Sequence, residues 1–334
     1  MTEASSSSGR LRAVLGLVAL GATAWFLSAV FDDGSQEVAA ARTFTSSSQC
    51  KECHAEAFAE WEGSQHSVSW TNPAVRFLSN DFANQDCIDC HAPRPVFVTG
   101  MGNRVLPRQE RRVEGVDCIA CHQLPEEDGG GMAGTDTFAN SPCRATAKIE
   151  LQRVDFCAGC HNQHKTVDQW RDSEWPEKGE DCLSCHMPHR GGDPNAGRDH
   201  SFLGGLHMPT LRSAVELRGQ IVGGAYQVEV ENNGAGHAFP TDERSRAADL
   251  FWRVEGSDGW THLYRIRDPY RHETDIPSTL VHSGETLSLE VPDVPAGAAI
   301  EVALFYKRSP YWEDPAAPDP DREATLVHTL MLRP

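Results

Sequence analysis

The sequence predicts a mixed fold made of two unlike parts: an irregular, mostly helical region without an ordinary apolar core, then a small antiparallel β-sandwich. Three observations carry this. All eleven cysteines fall between Cys50 and His186, and ten of them belong to one five-residue pattern that recurs five times. All five tyrosines (Tyr226, Tyr264, Tyr270, Tyr306 and Tyr311) lie beyond residue 225. From Leu211 onward apolar residues recur with a period of two, the mark of half-buried strands.

The repeated pattern is C-x-x-C-H, with copies at Cys50-Cys53-His54, Cys87-Cys90-His91, Cys118-Cys121-His122, Cys157-Cys160-His161 and Cys182-Cys185-His186. Cysteines three apart share one side of a helical turn, so both can form thioethers to one porphyrin. The following histidine then reaches the iron as its proximal ligand. Disulfides or zinc would explain the cysteine pairs, but not a histidine after every second cysteine. Five covalently attached haem c groups are therefore expected. Between the motifs, segments such as Pro93 to Pro107 and Gly129-Gly130-Gly131 are short and broken by glycine and proline. The porphyrin faces are expected to serve as core there, and packing that dense makes an electron wire.

Taken in order, 1–12 reads as a cytoplasmic N-terminus, 13–31 as a transmembrane anchor or signal sequence, 32–48 as a flexible tether, 49–210 as the pentahaem domain and 211–334 as the sandwich. Ala13 to Phe31 is an uncharged run preceded by Arg10 and Arg12 and followed by Asp32 and Asp33, which places the haem region on the outer, periplasmic side of the inner membrane. Cleavage near Ala39-Ala40-Ala41, giving a secreted periplasmic protein, is the competing reading. Ala55 to Glu62 is expected as a short helix with Phe58 and Trp61 on one face, ended by Gly63. Cys143 stands outside the motifs as a buried free thiol. Tyr226 to Glu231, Leu250 to Val254, Trp260 to Ile266, Leu287 to Val291, Ile300 to Phe305 and Thr325 to Leu332 are expected strands, and Arg308 to Arg322 a surface loop. A net charge of -18 argues against nucleic acid and fits a basic redox partner or simple solubility.

The second axial position decides between wire and catalyst. Five histidines outside the motifs precede Leu211, namely His66, His164, His189, His200 and His207, matching five irons. Met187 and Met208 are alternatives, which would raise a haem's potential.

Cys50-x-x-Cys53-His54 with Trp61-x-x-Ser64-x-His66, Cys185-His186-Met187-Pro188, His200-Ser201-Phe202 and Gly234-Ala235-Gly236-His237-Ala238-Phe239-Pro240-Thr241 resemble the multihaem cytochromes related to the tetrahaem cytochrome of ammonia oxidisers. That group extends to hydroxylamine oxidoreductase and pentahaem nitrite reductase, and the resemblance covers 48 to about 250. It implies that His66 is a distal ligand to a haem other than its neighbour, and that His237 reaches back to a haem. The competing reading of His237 is a histidine in a glycine turn. The chain departs from the enzymes of the group: all five motifs end in histidine rather than lysine, and the haem region has no tyrosine. Electron transfer between redox protein partners is thus the leading expectation. An oxidoreductase with one open haem acting on a small nitrogen or sulfur compound, and a cytochrome that oxidises the quinol pool, are the alternatives.

Overall fold

The structure is a computed structural model that describes residues 43–241 and 244–334. The expected N-terminus, the membrane or signal segment and the tether as far as residue 42 lie outside the described residues. Among the described residues no helix is long and apolar enough to cross a membrane.

The first region is a string of short helices. α1 (Ala55–Glu62) buries Phe58 and Trp61, whose rings lie 5.3 Å apart, and stops at Gly63, as their spacing predicts. It is followed by α2 (Pro73–Leu78), α3 (Asp86–His91), α4 (Val96–Thr99) and α5 (Cys118–His122). A two-residue parallel pair, β1 (Ala133–Gly134) and β2 (Thr146–Ala147), leads into α6 (Val154–His161), α7 (Thr166–Arg171), α8 (Cys182–His186) and α9 (Met208–Ala214). Apolar side chains here do not gather into one core. Phe82, Ile88 and Ala92 make a small cluster, while Phe77, Val113, Phe138 and Ile149 are exposed.

The second region has seven strands in two antiparallel sheets. β3 (Glu216–Val222), β4 (Ala225–Glu231) and β7 (Thr286–Val291) form one, with β4 central. β6 (Thr261–Ile266), β5 (Ala247–Val254), β8 (Ile300–Lys307) and β9 (Thr325–Leu332) form the other, in that order. Alternation sorts the side chains: Tyr226, Val228 and Val230 of β4 turn into a core shared with Leu250 and Trp252 of β5 and Val302 and Leu304 of β8. Gln227, Glu229 and Glu231 stay on the other face, where Arg218 of β3 pairs with Glu231.

Three expectations are corrected. The tether does not extend to residue 48: Ser47 is fully buried in a 3-10 turn (Ser47–Glu52), donating its N–H to Glu114 at 2.9 Å and accepting from Cys118 N–H at 3.1 Å. Serine there caps and bridges, so a composition rich in serine did not mean slack chain. Leu211 lies inside α9, and the strands begin at Glu216. Arg308 to Arg322 is not simply a surface loop. Trp312 is buried against Phe251 and Phe305, and the segment runs into a helical turn, α10 (Pro320–Glu323).

Candidate haem centres

The C-x-x-C-H motifs lie on or against short helical turns, and those of the first, third and fifth open on a side-chain cap. Asp117 accepts from Ala120 N–H at 2.7 Å to open α5, and Asp181 accepts from Leu183 and Ser184 N–H, both at 2.9 Å, to open α8. Arg108 and Arg111 pair with the Asp117 carboxylate in turn. Helical spacing puts Cys118 with Cys121, and Cys182 with Cys185, on one side of their turns. All eleven cysteines are free thiols in the structure. Burial pushes the Cys121 thiol up to about 12. Cys143 is half-buried rather than buried, 3.4 Å from the Ser141 hydroxyl.

Thiols of different motifs touch. Cys50 hydrogen-bonds Cys118, Cys90 bonds Cys160, and Cys157 bonds Cys182. The first motif therefore adjoins the third, and the fourth adjoins both the second and the fifth.

The histidines are arranged more tellingly. His66 faces His161, His122 faces His200 and His186 faces His237, each pair with ring centroids 6.2 Å apart. A ligating imidazole nitrogen stands about 2 Å from its metal and about 1.1 Å from its ring centre, so two imidazoles on opposite sides of one iron have centroids about 6 Å apart. Each pair joins a motif histidine to one from elsewhere in the chain.

The ring nitrogens are set for this. His122 donates from Nδ1 to Ala133 O at 2.9 Å, His200 to Arg198 O at 2.9 Å, His237 to Ala238 O at 3.0 Å and His186 to Leu203 O. His91 likewise donates to Ser69 O at 2.9 Å. A proton fixed on Nδ1 leaves the Nε2 lone pair for a metal. Burial pushes His66 down to about 3, and it lowers His122, His200 and His237, so these rings stay neutral as ligation requires. The donor set fits low-spin haem iron.

Other elements hold the histidines that lie outside the motifs. Glu60 of α1 clasps Arg190 through both oxygens, at 2.6 and 2.7 Å, and accepts from His200 N–H at 2.9 Å. Its partners hold the Glu60 carboxyl below its ordinary value, Arg190 first. His237 arrives from the sheet region. Asn232 donates to its carbonyl at 2.8 Å, Ala238 N–H donates to Gln169 at 3.0 Å, and a Cβ on Gly236 would come within 2.8 Å of Trp170. Sequence reasoning missed Glu60, Gln169 and Asn232, whose partners lie 140, 69 and 5 residues away, and no local pattern marks them.

The other expected ligands are placed less directly. His164 lies close enough to Cys90 to lower that thiol's pKa, setting it beside the second motif. Among the described residues the buried Nδ1 of His189 has no hydrogen-bond partner. His207 is bonded through Nδ1 to Thr210 at 2.8 Å. His54 stands at the start of α1, near His122. Met208 packs against the sheet core, so its role is packing. Met187 ends α8, where its backbone is bonded to Leu183 and Arg198.

Residues 49–123 match the family described as cytochrome c554 and c-prime. The structure matches a penta-heme cytochrome c552 from Thermochromatium tepidum at a TM-score of 0.59 and 19% identity, over 86% of this chain and 98% of that one. The fold is that of a multihaem c-type cytochrome. Together the two matches support covalently bound haem c on the motifs. Superoxide reductases from Archaeoglobus fulgidus and Nanoarchaeum equitans also align, each over 36% of this chain (89% and 93% of theirs) at 12% identity, but TM-scores of 0.21 and 0.20 carry no argument. No curated protein matches the sequence.

Proposed function

We propose that this chain carries five haem c groups, one on each motif, and passes electrons singly between redox partners. The observation that carries the reading is the set of three imidazole pairs, each spaced at 6.2 Å across a gap that suits one iron. Haem iron supplies the one-electron redox chemistry when bound. The chain's own residues do the rest. The cysteines would hold the haems, the paired histidines would ligate the iron, and carbonyls such as Ala133 O and Leu203 O keep the His122 and His186 rings in the ligating tautomer. An iron closed on both sides exchanges electrons without binding substrate.

The thiol contacts support a route. With the first motif against the third, the fourth against the second and fifth, and Cys121 of the third close to Cys157 and Cys160 of the fourth, the five centres would form one connected set rather than isolated sites. Cys53 and Cys185, in the first and last motifs, are the exposed cysteines. Electrons would enter and leave at those two ends. The two sheets, sharing one core, read as a sandwich that serves the last centre by delivering His237. Anchorage by Ala13 to Phe31, with the haems in the periplasm and a protein or quinol donor, completes the proposal.

Low-temperature electron paramagnetic resonance of the oxidised full chain, repeated with cyanide, tests it. Low-spin signals from every iron, unmoved by cyanide, are expected. A high-spin iron that takes up cyanide would replace the wire with an enzyme.

A further inference from the structure

A cavity of about 270 Å³ opens where the two regions meet, between the turn at residues 63–65, the loop at 201–207 and the adjoining ends of β5 and β8. Arg246 precedes β5 and Arg308 follows β8, and the register Ala247 to Lys307 sets them side by side, with Arg246 Nη1 donating to Arg308 O at 3.0 Å. Among the described residues neither guanidinium makes an ion pair. Arg308 reaches only an amide oxygen, Gln65 Oε1 at 3.3 Å, among its described side-chain partners. The chain has 48 acidic and 30 basic residues, so two cations on one cavity with no acid among its described lining residues are unusual for it. Like charges held together repel unless an anion lies between them, and the planar fork of arginine matches a carboxylate with two parallel bonds. The volume equals about nine waters at roughly 30 Å³ each, and it is below the roughly 300 Å³ at which sites begin to enclose a drug-sized ligand. A carboxylate-bearing edge fits; a whole porphyrin does not.

We infer that Arg246 and Arg308 form a carboxylate-binding fork at this junction. The carboxylate has two sources: a propionate of the haem whose edge reaches the His207 and Phe202 wall of the same cavity, or a small free carboxylate or oxyanion. The first source rests on the proposed function; the second does not.

The test uses the full haem-loaded chain, with covalent haem counted by mass spectrometry so that failure of the parent reading is seen separately. Arg308→Gln, the Arg246→Gln/Arg308→Gln pair and the corresponding lysine pair are compared by potentiometric titration, and by calorimetry with acetate and nitrite. Removing the guanidiniums beside a propionate leaves its negative charge unopposed and favours ferric iron. One midpoint potential then falls in the glutamine variants and recovers in the lysine pair, with no acetate or nitrite binding in any form. For a free anion, the wild type binds acetate or nitrite saturably, the glutamine pair binds at least tenfold more weakly, and the anion-free potentials stay fixed. Unchanged potentials together with no difference in anion binding, at wild-type haem content, overturn the inference. Arg308 is exposed, so its single variant keeps the test decisive where the pair misfolds.

Discussion

The two regions bond histidine in opposite ways. In the helical region, His91, His122, His186 and His200 spend Nδ1 on backbone carbonyls, and the last three each face a second imidazole at 6.2 Å between ring centroids. In the sheet region, His262 spends Nε2 on Asp249 at 2.9 Å, and His328 spends it on Val215 O at 2.8 Å. The apolar side chains divide the same way. The sheets pack side chain on side chain, with Leu250, Val302 and Leu304 fully buried, whereas the helical region has only small apolar clusters. One half is finished by its own residues, and the other is built around space for another molecule. His237 crosses the boundary. It belongs to the sheet region by sequence but follows the Nδ1 pattern of the helical one.

That crossing can be broken first. His237→Ala removes the ring facing His186, so one iron should turn from low-spin to high-spin with haem content intact, read by electron paramagnetic resonance and cyanide binding. A spectrum identical to wild type would sever the two regions functionally.

Within the sheets, Asp249 is fully buried against Arg265, at 2.8 and 3.1 Å, and His262. Asp249→Asn leaves the Arg265 charge uncompensated and should cost about 3–5 kcal/mol in denaturant unfolding. If the His237 centre depends on an intact sheet region, its low-spin signal will be lost at the same denaturant concentration. Leu250→Ala in the same core should cost about 2–5 kcal/mol, whereas Leu106→Ala, at a half-exposed site in the helical region, should stay within about 0.5 kcal/mol. Comparable losses at the two sites would erase the contrast in packing.

The smallest effect is at Glu60. Its folded pKa is depressed, so the clasp on Arg190 and His200 is complete above the ordinary glutamate range and is lost as pH falls through the lower folded value. Thermal melts of wild type and Glu60→Gln should differ by about 1 kcal/mol near neutrality, the scale of partly exposed pairs, and converge in acid. A gap that persists at low pH would assign the effect to packing.

Much of this was legible in the residues. The motifs were legible because their chemistry is local, within five positions. The strands from Tyr226 onward were legible because alternation is local too, although β3, with Gly219 and Gln220 diluting its pattern, was not expected. The pairing of histidines was not legible. His66 and His161, or His186 and His237, meet through chain reversals that no spacing encodes, and counting ligands before Leu211 left His237 outside the count. Likewise Trp312 looked exposed in a proline-rich stretch because its partners, Phe251 and Phe305, lie on other elements.

The origin of His237 also bears on how the molecule is made. Its partner His186 emerges from the ribosome well before it, and the ring cannot take its place until β4, the Asn232 turn and Gln169 have come together. A growing chain thus holds the pairing of His186 with His237 incomplete until its C-terminal part has folded. On the proposed function that pair is the last to be assembled, and a stalled or truncated chain would betray itself by one ligand-accessible iron.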